Sequence, residues 1–304
     1  MQQEYALSKD YIPYIANKTV HCDPTKLYLK MEFHKRGPII TIDEAIDRIK
    51  MGPFQLQVLF ATGTCFMADS MQVMLLSFLT RLLQREWEFD ETIGSAITSC
   101  LFAGAMIGTL ILGPAGDRIG RKPILLISAF IISSFGIGTA FCNNYLAVMI
   151  VILIVGFGIG GLTVPFDILA EFLPTEERGK YLLLIKYFWT VGSCIIPLTA
   201  YVSIEIAASW RLFVVLCAMP SLLSFIISAY LVPESPRWLV TTGQKEKALD
   251  ILRDAARRNG VNVHVAFPDG IELADEELEN SNFSELLKVS IIMIHTSCKF
   301  FHPV

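Results

Sequence analysis

The middle of the chain alternates long apolar runs with short polar segments. Six runs reach the roughly 20 mostly apolar residues that a helix needs to cross a bilayer. Lipid offers the backbone no hydrogen bonds, so each run is predicted to form a helix. Together the runs predict a six-helix bundle over residues 54–232. The runs are 54–79, 93–115, 124–141, 145–169, 181–204 and 210–232.

Charge is scarce in this chain and unevenly distributed. Only 18% of the 304 residues are charged, against about a quarter in soluble domains, and most charges precede Pro53 or follow Pro233. We therefore expect an all-α, multi-pass membrane protein with residues 1–53 and 233–288 outside the membrane. The apolar run within 289–304 is too short to span, so this segment is expected to be a tail or the truncated start of a seventh span.

Basic residues in the short loops predict the orientation. One set of alternate loops carries Arg118, Arg121, Lys122, Arg178 and Lys180. The other set carries Arg81 and Arg85 beside several acidic residues. Cytoplasmic loops of membrane proteins are enriched in Lys and Arg. Both termini of the bundle are therefore predicted to be cytosolic.

The loop between the second and third runs has a spaced motif, GPAGDRIGRKP. It contains Gly113, Asp117, Arg118, Gly120, Arg121 and Lys122. Glycine allows helix ends to approach and turn, and a carboxylate such as Asp117 can pair with a neighbouring guanidinium group. A loop that only fixed topology would need loosely placed basic residues, without glycine and aspartate at fixed offsets.

This motif resembles the signature loop of the major facilitator superfamily. PESPRWL at 233–239 and AEFLPTEERGK at 170–180 are similar to its sugar-porter and organic-ion branch. TIDEAIDRI, MADSMQVMLLS and GFGIGG are similar to transporters related to synaptic vesicle glycoprotein 2. The resemblance covers about residues 41–260.

The resemblance implies a secondary-active carrier of a small polar or charged organic solute, without a cofactor or metal and without enzymatic activity. Such carriers have two six-helix halves, so this chain is expected to be the N-terminal half. Its expected partners are membrane lipid, the solute, and a C-terminal half or a second copy, with no nucleic acid. The expected location is the plasma membrane or a vesicle membrane. The alternative is a non-transporting membrane or vesicle protein, or an inert fragment, that keeps the fold.

In the family, charges in these loops form a cytosolic gate. The resemblance implies this role for Gly113, Asp117, Arg118, Gly120, Arg121, Lys122, Glu171, Arg178, Glu234 and Arg237. The alternative is that each residue only sets the topology.

One departure from the family pattern concerns the arginine that many members carry in the fourth run. Apolar residues near Ile152 stand in its place, so proton coupling through that arginine is not expected.

Apart from Arg211 at the start of the sixth run, three charged residues lie inside the apolar runs, where each costs about 2.5–3.5 kcal/mol near a helix centre. Asp69 is expected to bind a proton or a cation such as an organic amine, or else to be a buried carboxylate hydrogen-bonded with Ser70. Asp167 and Lys186 are equidistant from the middle of the loop at 174–179, which predicts an ion pair across a helix hairpin. Lys186 could instead extend to the interface, or the two residues could act in transport.

Two flanking segments have the pattern of amphipathic helices. Thr41 and Glu44 form a capping-box pattern, and the apolar residues that follow share one face, so a short helix is expected to lie on the inner leaflet. Residues 244–258 predict a second helix, which the resemblance places under the bundle; a solvated linker helix is the alternative. The GxGxxG match at 156–161 lies inside an apolar run, which favours close helix packing over nucleotide binding.

Overall fold

In this computed structural model, the structure describes residues 38–206, 208–268 and 270–275. The sequence predictions for residues 1–37 and 276–304, including the partial seventh span, lie outside the described residues. The described chain is almost entirely helical, with one two-residue strand at each end.

Among the described residues, six helices are long and apolar enough to cross a membrane, and each coincides with one of the six predicted runs. The third helix ends at Thr139 and the sixth at Leu231, slightly before the ends of their predicted runs at 141 and 232. We call the six helices the first to sixth spans in chain order. The spans are Pro53–Trp87 (α2), Glu91–Ile119 (α3), Arg121–Thr139 (α4), Tyr145–Phe172 (α5 and α6), Arg178–Glu205 (α7 and a π-helical end) and Trp210–Leu231 (α8). The first span (α2) continues eight residues past the predicted run, to Trp87, because the polar residues there are still good helix formers.

Local polar contacts explain where several spans begin. Pro53 occupies the first turn of α2, where its missing N–H costs nothing. The side chain of Asn144 accepts the N–H of Ala147 at 2.7 Å at the start of α5. The hydroxyl of Ser209 accepts the N–H of Leu212 at the start of α8. These contacts satisfy amide groups that would otherwise lack partners at the helix ends.

The fourth span is interrupted in its middle. Its first part, α5, is Tyr145–Ile159, then a 3₁₀ turn occupies Gly160–Leu162, and α6 is Thr163–Phe172. A side chain on Gly156 would collide with the carbonyl of Leu101 in the second span. The glycine run therefore allows the two helix backbones to pack closely. Close helix packing is the interpretation that the sequence favoured, and nucleotide binding is the one that it disfavoured.

The segments that flank the bundle fold together at one end of it, which we call the basic end. Four short helices lie there: α1 (Ile42–Ile49), α9 (Pro236–Thr241), α10 (Lys245–Arg258) and α11 (Val263–Ala266). Strand β1 (Ile39–Ile40) pairs in parallel with β2 (Glu272–Leu273) and so joins the two flanks. Both flanks therefore lie on the same side of the six spans.

The two predicted amphipathic helices are present, but α1 does not present its apolar face to lipid. Its apolar residues Ile42, Ala45, Ile46 and Ile49 are at most 2% exposed, because they pack in one core with α10 and the ends of the spans. Helix α10 packs against α9, α1 and the first span, as the resemblance implied. The expectation of a helix lying on the inner leaflet is therefore corrected by this packing.

Asn259 connects this flanking structure to the first span. Its side-chain oxygen accepts the N–H of Phe54 at 3.0 Å, and its amide nitrogen donates to the carbonyl of Lys50 at 3.0 Å and to Gln55 at 2.8 Å. Arg258 also donates to Gln57 in the next turn. The end of α10 thus satisfies the free backbone groups at the entry to the first span.

Candidate functional site

One guanidinium group at the basic end contacts three carboxylates. Arg121 begins the third span and lies 2.7 Å from Asp167, 3.1 Å from Glu171 and 3.3 Å from Asp117. Glu171 is the most enclosed of the three, with a side chain only 10% exposed. The Arg121 cluster, which we define as these four residues, joins the adjoining ends of the second, third and fourth spans.

Glu234 binds the same helix start through the backbone. One of its carboxylate oxygens accepts the N–H groups of Arg121 at 2.9 Å and Lys122 at 3.1 Å. A carboxylate is favoured at this position because unpaired N–H groups give a helix N-terminus partial positive charge. Gly120 permits the arrangement: its φ is +118°, and a Cβ there would lie 2.8 Å from Glu234.

A second charge centre is Asp43, which the sequence analysis did not single out. Its carboxylate lies 3.0 Å from Arg178 at the start of the fifth span and 3.0 Å from Arg237 in α9. One turn later in α1, Asp47 accepts the N–H and hydroxyl of Thr175. The signal in the sequence was present, since the polar face of TIDEAIDRI is acidic and each of the segments AEFLPTEERGK and PESPRWL contains an arginine. We call Asp43, Arg178 and Arg237 the Asp43 cluster.

The residues assigned to the predicted gate thus lie around two centres. Asp117, Arg121 and Glu171 form the first with Asp167, and Arg178 and Arg237 form the second with Asp43. Lys122 contributes its backbone N–H. Arg118 is exposed and forms no ion pair with any residue that the structure describes. Gly113 has open space where a Cβ would point, so packing does not require glycine there.

The predicted ion pair between Asp167 and Lys186 is not formed. Asp167 pairs with Arg121, and the ammonium group of Lys186 lies 4.8 Å from the ring centre of Phe66 and 5.4 Å from that of Phe166. The prediction assumed that the fourth and fifth spans pack as a hairpin. The fifth span packs mainly against the first span instead, which gives Lys186 aromatic neighbours.

Asp69 lies in the interior of the six-helix bundle, at 5% exposure. Ser70 donates its hydroxyl to the carbonyl of Met67 at 2.9 Å, so the alternative in which Asp69 is hydrogen-bonded with Ser70 is not formed. Among the described residues, none donates a hydrogen bond to the Asp69 carboxylate. Asp69 faces a cavity of about 20 Å³ between the first, third, fourth and sixth spans. The cavity is lined by Cys65, Ala68, Asp69, Leu125, Ser128, Ala129, Ile132, Gly158, Gly161, Pro165, Ser221 and Ser224.

The chain has three features of a multi-pass membrane transporter. It has six membrane spans, ion pairs that join the spans at one end, and a carboxylate buried between the spans. The chain belongs to the family described as "Sugar (and other) transporter", whose model matches residues 55–301. This family is part of the major facilitator superfamily, so the resemblance inferred from the sequence is confirmed.

Curated relatives agree with the family. The chain is 34% identical over 73% of its length to "Putative transporter svop-1" of Caenorhabditis elegans. It is 37% identical over 72% of its length to "Synaptic vesicle 2-related protein" of Rattus norvegicus. It is 34% identical over 80% of its length to "Organic cation/carnitine transporter 7" of Arabidopsis thaliana. The chain spans 42%, 40% and 48% of the length of these three relatives.

A solved structure shares the fold. The proton:xylose symporter XylE, bound to 6-bromo-6-deoxy-D-glucose, matches with a TM-score of 0.60 at 22% identity. The match covers 70% of this chain and 52% of that one. At this identity the likeness concerns the fold alone.

We predict that Asp43→Asn destabilises the protein, because it leaves Arg178 and Arg237 without their shared carboxylate. We expect a loss of about 1 kcal/mol, the upper end for partly exposed pairs, because two cations are affected at once. The melting temperature in detergent should fall by about 2–4 °C. The matched control is Glu44→Gln in the same helix, which removes only the exposed ion pair with Arg48. This control should change the melting temperature by less than about 1 °C. Equal shifts in both variants would refute a structural role for the Asp43 cluster.

Proposed function

We propose that this chain is the N-terminal half of a secondary-active transporter for a small polar or charged organic solute. The observation that carries the proposal is Asp69, a carboxylate buried inside the bundle with no cationic partner among the described residues. A charge at that depth is costly for the fold. A role in coupling solute movement to a bound ion would explain why a carboxylate is present at that depth.

We propose that the Arg121 and Asp43 clusters form a gate at the basic end. Arg121 connects three spans, and Asp43 connects α1 with the start of the fifth span and with α9. Ion pairs between separate helices are suited to a gate, because they can break and re-form as the helices move between two packed arrangements. The partial exposure of these pairs supports the role, since water can replace the contacts when the gate opens.

The solute is proposed from the relatives. The family description names sugars, and the name of one relative includes organic cation and carnitine; all of these solutes are small and polar or charged. The second and fifth spans are the least buried of the six, so they present a broad apolar face. We propose that another six-helix half, or a second copy of this chain, covers that face and that the solute binds between the two.

Uptake tests this proposal against a non-transporting membrane protein. The purified chain would be reconstituted into proteoliposomes, and entry of radiolabelled carnitine and xylose would be measured under an inward proton or sodium gradient. Uptake of either solute above that of protein-free vesicles is expected. Uptake no greater than in protein-free vesicles, from folded and correctly inserted protein both alone and together with the C-terminal half of a related transporter, would favour the non-transporting alternative.

We propose that the basic end is cytosolic, because its loops hold most of the loop Lys and Arg residues. Cysteine would be introduced at Asn143, an exposed loop residue at the opposite end, or at Arg118 at the basic end. In intact cells a membrane-impermeant maleimide should label the Asn143→Cys chain and not the Arg118→Cys chain. Native Cys142 is unsuitable because it is buried, and the unsubstituted chain gives the background. The reverse labelling pattern would overturn the orientation.

A further inference from the structure

We propose that the cavity beside Asp69 is a binding site for one dehydrated sodium ion, formed by oxygen atoms from four spans. The inference deepens the proposed function, on which it rests for its physiological purpose, by naming the coupling ion. The binding itself is independent of transport and is tested without it.

The first support is the set of polar groups that face the cavity without partners. Ser128 in the third span and Ser221 in the sixth span are 5% and 1% exposed, and neither hydroxyl has a hydrogen-bond partner in the part of the chain that the structure describes. Both residues line the cavity together with Asp69. Buried hydroxyls are costly to the fold when they are unpaired. A cation held by the carboxylate would give both hydroxyl oxygens a ligand at once.

The interruption of the fourth span adds a backbone oxygen. Gly161, in the 3₁₀ turn, and Pro165 both line the cavity. Pro165 has no N–H to donate to the carbonyl four residues earlier, which is that of Gly161. The N–H of Thr163, two residues ahead, donates to that carbonyl, whose oxygen has two lone pairs. Carbonyl groups freed where a membrane helix is broken are suitable ligands for small cations.

The described residues that line the cavity include no positive charge that would compete for Asp69. Cys65 and Asp69 are the only ionisable residues among those that line the cavity. Lys186, the lysine in the fifth span, lies over two aromatic rings and forms no ion pair with Asp69. One carboxylate therefore balances one monovalent cation, and the occupied site would be neutral at a depth where net charge is costly.

The size of the cavity narrows the choice of ligand. A volume of about 20 Å³ accommodates one water-sized particle. An organic ammonium ion, which the sequence analysis considered, is too large for it. Magnesium loses its hydration shell reluctantly and keeps several waters, for which there is no room. Carboxylate, hydroxyl and carbonyl oxygens are the ligands of hard cations, so sodium fits both the volume and the donor set.

Sodium-dependent stabilisation tests the site directly. Thermal unfolding of the purified chain in detergent would be followed in NaCl, KCl and choline chloride at equal ionic strength and fixed pH. We expect a saturable rise of about 3 °C in NaCl alone, since a ligand that binds only the folded state raises its stability. Asp69→Asn should abolish the rise. Ser128→Ala should raise the half-saturating sodium concentration about tenfold.

The control variant is Ser133→Ala in the same span, because the Ser133 hydroxyl already donates to the carbonyl of Phe130. It should keep the wild-type sodium response. Equal melting temperatures in the three salts would overturn the site. A sodium response in a chain that moves no solute would refute the proposed transport function and leave the site standing. Transport without a sodium response would remove only the site.

Discussion

Asp69→Asn is expected to leave the protein folded while abolishing solute accumulation. Asparagine has nearly the same shape but no charge, and no described residue pairs with the carboxylate that it replaces. A charged aspartate near a helix centre costs about 2.5–3.5 kcal/mol on the insertion scale, so its removal should stabilise the chain by about 1 kcal/mol or be neutral. Accumulation driven by an ion gradient should fall at least tenfold, whereas exchange of internal for external solute should persist.

The two readouts separate coupling from folding. The melting temperature in detergent and both kinds of uptake would be measured on the same preparations. Ser70→Ala is the matched control, because its hydroxyl bonds to the adjacent turn of its own helix. Loss of stability with a proportional loss of both kinds of uptake would mean that Asp69 is structural. Unchanged accumulation would exclude Asp69 from coupling.

Arg121→Gln is expected to cause the largest loss of stability of any single change at the basic end. It leaves Asp167, Glu171 and Asp117 close together without their cation. Breaking a fully buried pair costs about 3–5 kcal/mol, and the partial exposure of these side chains reduces the expected loss to about 2–3 kcal/mol. The melting temperature should fall by about 5–10 °C, and transport should fall with it.

The same loop offers a matched control. Arg118→Gln removes an equal charge three residues earlier, where Arg118 is exposed and unpaired within the described part of the chain. It should change the melting temperature by less than about 1 °C. A second test is the double variant Arg121→Gln with Glu171→Gln, which removes the most buried stranded carboxylate and should recover part of the loss. Equal destabilisation by Arg118→Gln and Arg121→Gln would contradict the role of the Arg121 cluster.

The fold could be predicted from the sequence because its strongest determinants are local. A bilayer requires helices of a certain length and apolarity, and the six runs met this requirement one by one. The face of α1 was also visible in the spacing of Ile42, Ala45, Ile46 and Ile49. Its burial against α10 was not, because spacing identifies an apolar face and does not identify what covers it. Helix α10 is about two hundred residues away along the chain.

The charge clusters were predictable in part for a similar reason. The motif loops identified Arg121 and Glu171, but their partners depend on which spans are neighbours. Asp167 was paired with Lys186 on the assumption that consecutive helices pack together, and the fifth span packs against the first instead. Asp43 was missed because it lies outside the apolar runs. The cavity beside Asp69 required residues from four spans, which no local pattern could bring together.

The most direct test of secondary-active transport is to collapse the ion gradient during uptake. Proteoliposomes containing the chain would accumulate radiolabelled solute under an inward gradient, and an ionophore for sodium or for protons would then be added. The account predicts that the solute drains to equal concentrations inside and outside when the coupling ion is released, and that Asp69→Asn vesicles never rise above this level. Accumulation that survives the loss of both gradients would contradict the account.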